Sequence, residues 1–133
     1  MSFTDSQTLD DASGDAVAYA LISRDGKGTV RRDVATTNSE PGLMAIRHDI
    51  SGKGANILDR RLLQFSKTVT DDQGVPRIAT VNLSLIVPRH DVITDQIVID
   101  LVANAADFIT GGGCGDSGLV STAPLVQFLR GES

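Results

Sequence analysis

IATVNLSLIV, residues 78–87, sets Val81, Leu83, Leu85 and Val87 against Thr80, Asn82 and Ser84. A period of two belongs to an extended chain with one face buried and one face wet. Pro88 follows, and with no N–H to donate it predicts the end of the ladder. Upstream lies DDQGVP, residues 71–76, a turn by composition. Before the turn, ILDRRLLQFSKTV (57–69) puts Leu63, Phe65 and Val69 on one face and Arg60, Gln64, Ser66 and Thr68 on the other. Leu62 and Lys67 break that alternation and leave the register open by one residue. LMAIRHDI (43–50) reads as a third strand, with Met44, Ile46 and Ile50 opposed to Ala45, Arg47 and Asp49. SGKG (51–54) supplies the turn between the last two.

Working outward, VAYALIS (17–23) and TVRRDVA (29–35) are β-prone runs flanking RDGKG (24–28). The Asp-Gly step offers the positive φ of a tight hairpin turn. TTNSEPG (36–42) is a loop. On the C-terminal side, Thr94 is a candidate N-cap, with Asp95 and Gln96 in the first turn of a helix over 95–109. Ile97, Leu101, Ala105 and Phe108 form its apolar stripe, widened by Val98, Val102 and Ile109. GGG (111–113) ends that helix, and Pro124 opens a short second one over 124–130. Strands first and helices last predict an α+β fold in one domain, residues 1–133. It comprises an N-terminal β-hairpin (about 17–35), an antiparallel sheet of about five strands (main part about 43–87) and two C-terminal helices. The acidic start to about residue 15 is expected to be loosely held. Helices would clothe the apolar sheet face, leaving the face of Arg47, Arg60, Gln64, Ser66, Thr80, Asn82 and Ser84 with no local cover.

The 133 residues, 41% hydrophobic, suit one compact domain. Aromatic content is only 4% with no Trp, so the core rests on aliphatic residues and oligomerisation would strengthen it. No apolar run approaches the ~20 residues that span a bilayer, and residues 1–15 lack the basic and apolar regions of a secretory signal. No membrane partner is expected. A single cysteine, Cys114, rules out an intrachain disulfide and leaves an intersubunit one open. The net charge of −5 is unevenly spread. Residues 1–15 carry four acids and no base, residues 91–107 another four and no base, while residues 24–61 hold eight bases against five acids. A basic middle between acidic ends is compatible with one surface that meets a polyanion.

Catalytic motifs fare poorly. GDSG (115–118) resembles the nucleophile signature of serine proteases, with Ser117 as nucleophile. That chemistry needs a His base backed by an Asp. His48 and His90 each precede an aspartate, but neighbours on an extended strand point to opposite faces. The spacing Gly113, Gly115, Gly118 matches a dinucleotide fingerprint only formally, since a helix rather than a strand precedes it. Asp10-Asp11 and Asp71-Asp72 lack the alternation of a calcium loop and read as solvated turns. Two His and one Cys offer no zinc ligand set. No enzyme activity, metal or cofactor is expected. In the basic pairs Arg31-Arg32 and Arg60-Arg61, alternation lets only one member of each face a given ligand.

From residue 43 to 109 the order and spacing of these pieces resemble levivirus coat proteins: LMAIRHDI, a turn, DRRLLQFSKTV, the loop DDQGVP, ATVNLSLIVPR, and the amphipathic segment ITDQIVIDLVANAADFI. With the leading hairpin, the resemblance covers about 110 residues. It implies an intertwined homodimer whose sheets join across a two-fold axis and whose C-terminal helices reach over the partner. It further implies an icosahedral shell with the loop around Gly74 at symmetry contacts, assembled in the bacterial host cytoplasm, and a helix-free inner face that binds a stem-loop of the viral RNA and represses translation. The family's RNA-contacting Asn corresponds to Asn82, while Thr80 stands where its aromatic would be, removing a stacking contact worth roughly 1–3 kcal/mol. Arg47, Arg60, Gln64 and Ser66 correspond loosely to polar positions of the neighbouring strands, and Ser84 continues the face; Asp49 and Leu62 depart from that pattern. Two alternatives stand beside this reading: a dimeric RNA-binding module that never assembles, and a small hydrolase using Ser117.

Overall fold

The computed structural model describes residues 5–11, 15–110, 114–115, 118–119 and 127–131. Six antiparallel strands form one sheet in sequence order: β1 (Ser6–Asp10), β2 (Ala16–Asp25), β3 (Gly28–Asp33), β4 (Gly42–Ser51), β5 (Leu58–Thr70) and β6 (Pro76–Pro88). A 3₁₀ turn, Gly54–Asn56, precedes β5. Helix α1 spans Asp95–Thr110, and a two-stranded ribbon pairs β7 (Cys114–Gly115) with β8 (Gly118–Leu119). Contacts divide the chain into two compact units, with α1 outside the one that holds the sheet. Among the described residues no helix is long and apolar enough to cross a membrane.

The turns show why strands pair as they do. Between β5 and β6, Gly74 sits at φ +79°, and the Asp71 carboxylate accepts hydrogen bonds from the backbone N–H of Gln73 and Val75, both at 2.9 Å. That is a side-chain-braced hairpin turn of the kind Asp favours. Between β2 and β3 the expectation of positive φ at Gly26 is not met: among the described glycines only Gly52, Gly54, Gly74 and Gly131 adopt it. Here the Asp25 carboxylate closes the turn, accepting from the N–H of Lys27 (2.8 Å) and Gly28 (2.9 Å).

One further expectation needs correction. The acidic N-terminal stretch contributes a strand, β1, whose neighbourhood is tied down where Leu21 N–H donates to the Asp5 carbonyl at 3.0 Å and Arg24 meets the Asp5 carboxylate at 2.6 Å. The sheet therefore has six strands rather than about five. Farther along, residues 114–115 and 118–119 pair as the β7–β8 ribbon, since backbone pairing needs no side-chain pattern. Of the second helix expected over 124–130, a helical turn stands at 127–129; residues 124–126 lie outside the described residues. Helix α1 begins as expected, with the Thr94 carbonyl accepting from the N–H of Ile97 and Val98. Val98, Val102 and Ile109 are half-buried, whereas Ile97, Leu101 and Phe108 stand exposed.

Cross-strand register sorts the side chains onto two faces. Arg31, Met44, Phe65 and Val81 are successive partners on one, as are Thr29, Ile46, Leu63 and Leu83. Tyr19 meets Phe65 edge to face, centroids 5.8 Å apart, and burial followed by the nearby Asp33 charge raises its phenol pKa. Arg31 is buried beside Met44 and donates to Thr29 Oγ1 at 2.6 Å and the Asp5 carbonyl at 3.3 Å. The open register at β5 resolves in the same way. Leu62 faces Arg47 and Ser84 on the polar side, and Lys67 lies between Gly42 and Ala79 on the apolar side.

This apolar face is poorly covered. Among the described residues only Met44 and Ile46 are buried hydrophobics, while Val81 remains 69% and Leu83 39% exposed. A groove of about 290 Å³ runs over it, lined by Met44, Ile46, His48, Arg61, Leu83 and Leu85 among others.

Candidate nucleic-acid interface

The opposite face is built in rows by the same register. Leu43, Ser66 and Thr80 form one, Ala45, Gln64 and Asn82 the next, Arg47, Leu62 and Ser84 a third, and Asp49, Arg60 and Ile86 a fourth. Strands lie about 4.8 Å apart, so neighbours in a row reach one another directly. Every candidate RNA-contacting residue read from the sequence falls on these rows: Arg47, Arg60, Gln64, Ser66, Thr80, Asn82 and Ser84 share one surface.

The centre of that surface is uncharged and hydrogen-bonding. Gln64 Nε2 donates to Asn82 Oδ1 at 3.0 Å, which leaves the Asn82 amide N–H groups and the Gln64 amide oxygen for a ligand. Thr80, Asn82 and Ser84 are exposed, and Gln64 and Ser66 half-buried. The charges collect at one end. Arg47 Nη1 donates to Asp25 Oδ2 at 2.6 Å, Lys27 Nζ lies 3.9 Å from Asp49 Oδ1, and Arg60 Nε donates to Ser51 Oγ at 3.0 Å. Asp25, Lys27 and Ser51 were not singled out from the sequence. Their involvement depends on which strand lies beside which, although the Asp-Gly turn signal did mark Asp25 as structurally placed.

Of the basic pairs, Arg32 and Arg60 belong to this polar face and Arg31 and Arg61 to the apolar one, as alternation requires. Arg32 Nη1 is engaged by the Asn38 side-chain oxygen. His48 and Asp49 point to opposite faces of β4, and His90 Nδ1 accepts the Val92 N–H at 3.3 Å. Ser117 and the Cys114 side chain lie outside the described residues. No group of three or more His, Cys, Asp or Glu able to hold a metal occurs among the described residues.

A six-stranded antiparallel sheet followed by an amphipathic helix has close counterparts among solved structures. The coat protein of bacteriophage EMS014 superposes with a TM-score of 0.73 over 98% of this chain and 98% of its own, at 14% identity. The fold is that of a levi-like phage coat protein. The virus-like particle of Beihai levi-like virus 21 gives a TM-score of 0.70 over 99% of this chain and 97% of that one, at 10% identity. That of Wenzhou levi-like virus 4 gives 0.60 over 98% and 85%, at 17% identity. At such identities the kinship is one of fold. No family model and no curated protein matches the chain. Within the coat-protein fold, Thr80, Asn82 and Ser84 lie on the last strand of the sheet, and the helix follows directly.

Proposed function

We propose that this chain is the structural capsid protein of a single-stranded RNA phage, without enzymatic activity, whose dimers assemble into an icosahedral shell and bind genomic RNA on the polar sheet face. The observation that carries the reading is the two-faced sheet. One side presents Leu83, Val81 and the groove beside Met44 to solvent, and α1 leaves Ile97, Leu101 and Phe108 equally bare. Exposed apolar surface on this scale marks an association site. A second copy supplies the cover in this reading: β6, the edge of the sheet, meets its own copy across a two-fold axis, and the helices of each subunit reach over the partner's apolar face. The braced β5–β6 turn around Gly74 then lies at the shell's symmetry contacts.

The other side, with its Gln64–Asn82 amide pair and hydroxyl rows, is suited to a single-stranded viral RNA, as an unpaired loop or a stem-loop. Binding there would mark RNA for packaging and repress translation of a phage gene. The location is the virion, with assembly in the bacterial cytoplasm.

Electron microscopy of the purified full-length protein tests the shell directly. Uniform particles that carry host RNA are expected. A small dimer at every concentration would leave only a non-assembling RNA-binding module. Arg60→Ala and Asn82→Ala should each weaken RNA binding while leaving the dimer intact, measured by anisotropy of a labelled RNA. Unchanged affinity in both would remove the polar face from the RNA-binding role.

A further inference from the structure

The polar face is less basic than its cations suggest. Successive cross-strand partners place Asp25, Gly28, Arg47, Leu62 and Ser84 in one row. Gly28 contributes no side chain between Asp25 and Arg47, and none would fit: a Cβ there would stand 1.8 Å from the Ile46 carbonyl oxygen. The Arg47 guanidinium can therefore reach across an intervening strand to Asp25 Oδ2 at 2.6 Å. The carboxylate waits in a fixed place, because Oδ1 accepts the N–H of Lys27 and of Gly28. In the adjacent row Asp49 stands opposite Arg60 and 3.9 Å from Lys27 Nζ.

We infer that Asp25 and Asp49 are restraints on RNA binding: each occupies a cation of the polar face and holds the chain's affinity for phosphate below what Arg47 and Lys27 would otherwise give. The inference rests on the reading of this face as the RNA interface. Two physical arguments support it. First, the side chains of both pairs are well exposed, 45% and 57% for Arg47–Asp25 and 72% and 62% for Lys27–Asp49. Exposed pairs add little to stability, and the β2–β3 turn needs only a side-chain oxygen at residue 25, so folding gives little reason for the two negative charges on a surface that meets a polyanion. Second, the Lys27 N–H and then the Arg47 guanidinium hold the Asp25 carboxyl below the usual carboxylate range, so it stays charged at neutral pH. Phosphate contacts supply affinity without sequence information, and base-edge contacts supply discrimination. Muting the charged end leaves selectivity to the uncharged centre around Gln64 and Asn82.

The test is fluorescence anisotropy of a short single-stranded oligoribonucleotide of mixed sequence, titrated with the full-length protein across a salt series. Asp25→Asn keeps an oxygen for the turn and removes the charge. One freed phosphate contact on a single strand steepens the log–log salt slope by about 0.7, equivalent to about fivefold tighter binding near 0.1 M salt. Asp49→Asn should act in the same direction. Asp91→Asn changes the net charge equally but lies outside the sheet, and should leave binding as it was. Arg47→Ala should matter little in the parent protein and abolish the gain in the Asp25→Asn background. Unchanged affinity and slope in both aspartate variants, with Arg60→Ala and Asn82→Ala still weakening binding, would overturn the restraint and keep the interface. An equal gain from Asp91→Asn would also overturn it, as a net-charge effect. Indifference of every variant on the face would overturn both.

Discussion

Leu83 and Ser84 are adjacent on β6 and belong to different worlds. Leu83 continues a row of Ile46 and Leu63 on the apolar face, while Ser84 ends a row that begins at Asp25 and passes through Arg47. Two charges of the apolar face are braced: Arg31 by Thr29 and Asp5, and Asp59 by Arg89 at 2.8 Å. The polar face holds its ion pairs in the open. On the reading proposed here, one side of the sheet meets a fixed, water-excluding neighbour and the other a ligand that comes and goes. The same thirteen-residue strand serves both because the pleat separates them one residue at a time.

The sharpest way to break the comparison is to place one charge on either side of it. Leu83→Glu should abolish the dimer, since a carboxylate carried into a water-excluding interface is left without a partner. Ser84→Glu should leave the dimer whole and weaken RNA binding through like-charge repulsion. Light scattering after size exclusion reads the first, and anisotropy the second. If both variants remain dimeric, the apolar face is not the dimer interface. Next in size, Met44→Ala removes one of the few buried hydrophobics and should cost about 2–5 kcal/mol, seen as a lower urea midpoint. A cost near zero would mean that the centre of β4 collapses freely onto the space.

The smallest effect concerns acid. The hydrogen bond from Arg89, aided by its charge, holds the Asp59 carboxyl below the usual range. A carboxyl with a folded-state pKa under its unfolded value of about 3.9 adds stability above that pH and loses it as pH falls through the folded pKa. Asp59→Asn should therefore flatten the acid limb of the stability curve below about pH 4 and leave its shape near neutrality unchanged. Denaturant midpoints across that range check it, and a parallel acid limb in the variant would show that Asp59 does not contribute.

How much of this was legible in the sequence follows from distance along the chain. Strands β4, β5 and β6 announce themselves because alternation is local, and the candidate interface came with them: once Asn82 and Gln64 are assigned to the polar side, only the register is missing. Leu62 and Lys67 were ambiguous because each violates its own strand's pattern. Their places become clear beside Arg47 in one case and Gly42 in the other, where the long stem of Lys67 can lie along the apolar side with its ammonium outward. Strand β1 was hidden because SQTLD has little apolar character, and its order comes from partners such as Leu21 and Arg24 far along the chain. The Asp25–Arg47 pair was hidden for a related reason: it spans three strands, and no local pattern encodes which strands are neighbours.

Gly28 carries a consequence for heredity as well as for architecture. Its α-carbon faces the Ile46 carbonyl so closely that any side chain forces the backbone apart. All four glycine codons share their first two bases, so any change at either one installs a side chain or a stop there. A genome copied with frequent errors would meet at this codon a narrow gate, open only to third-base changes, in a hairpin whose facing surfaces could otherwise drift.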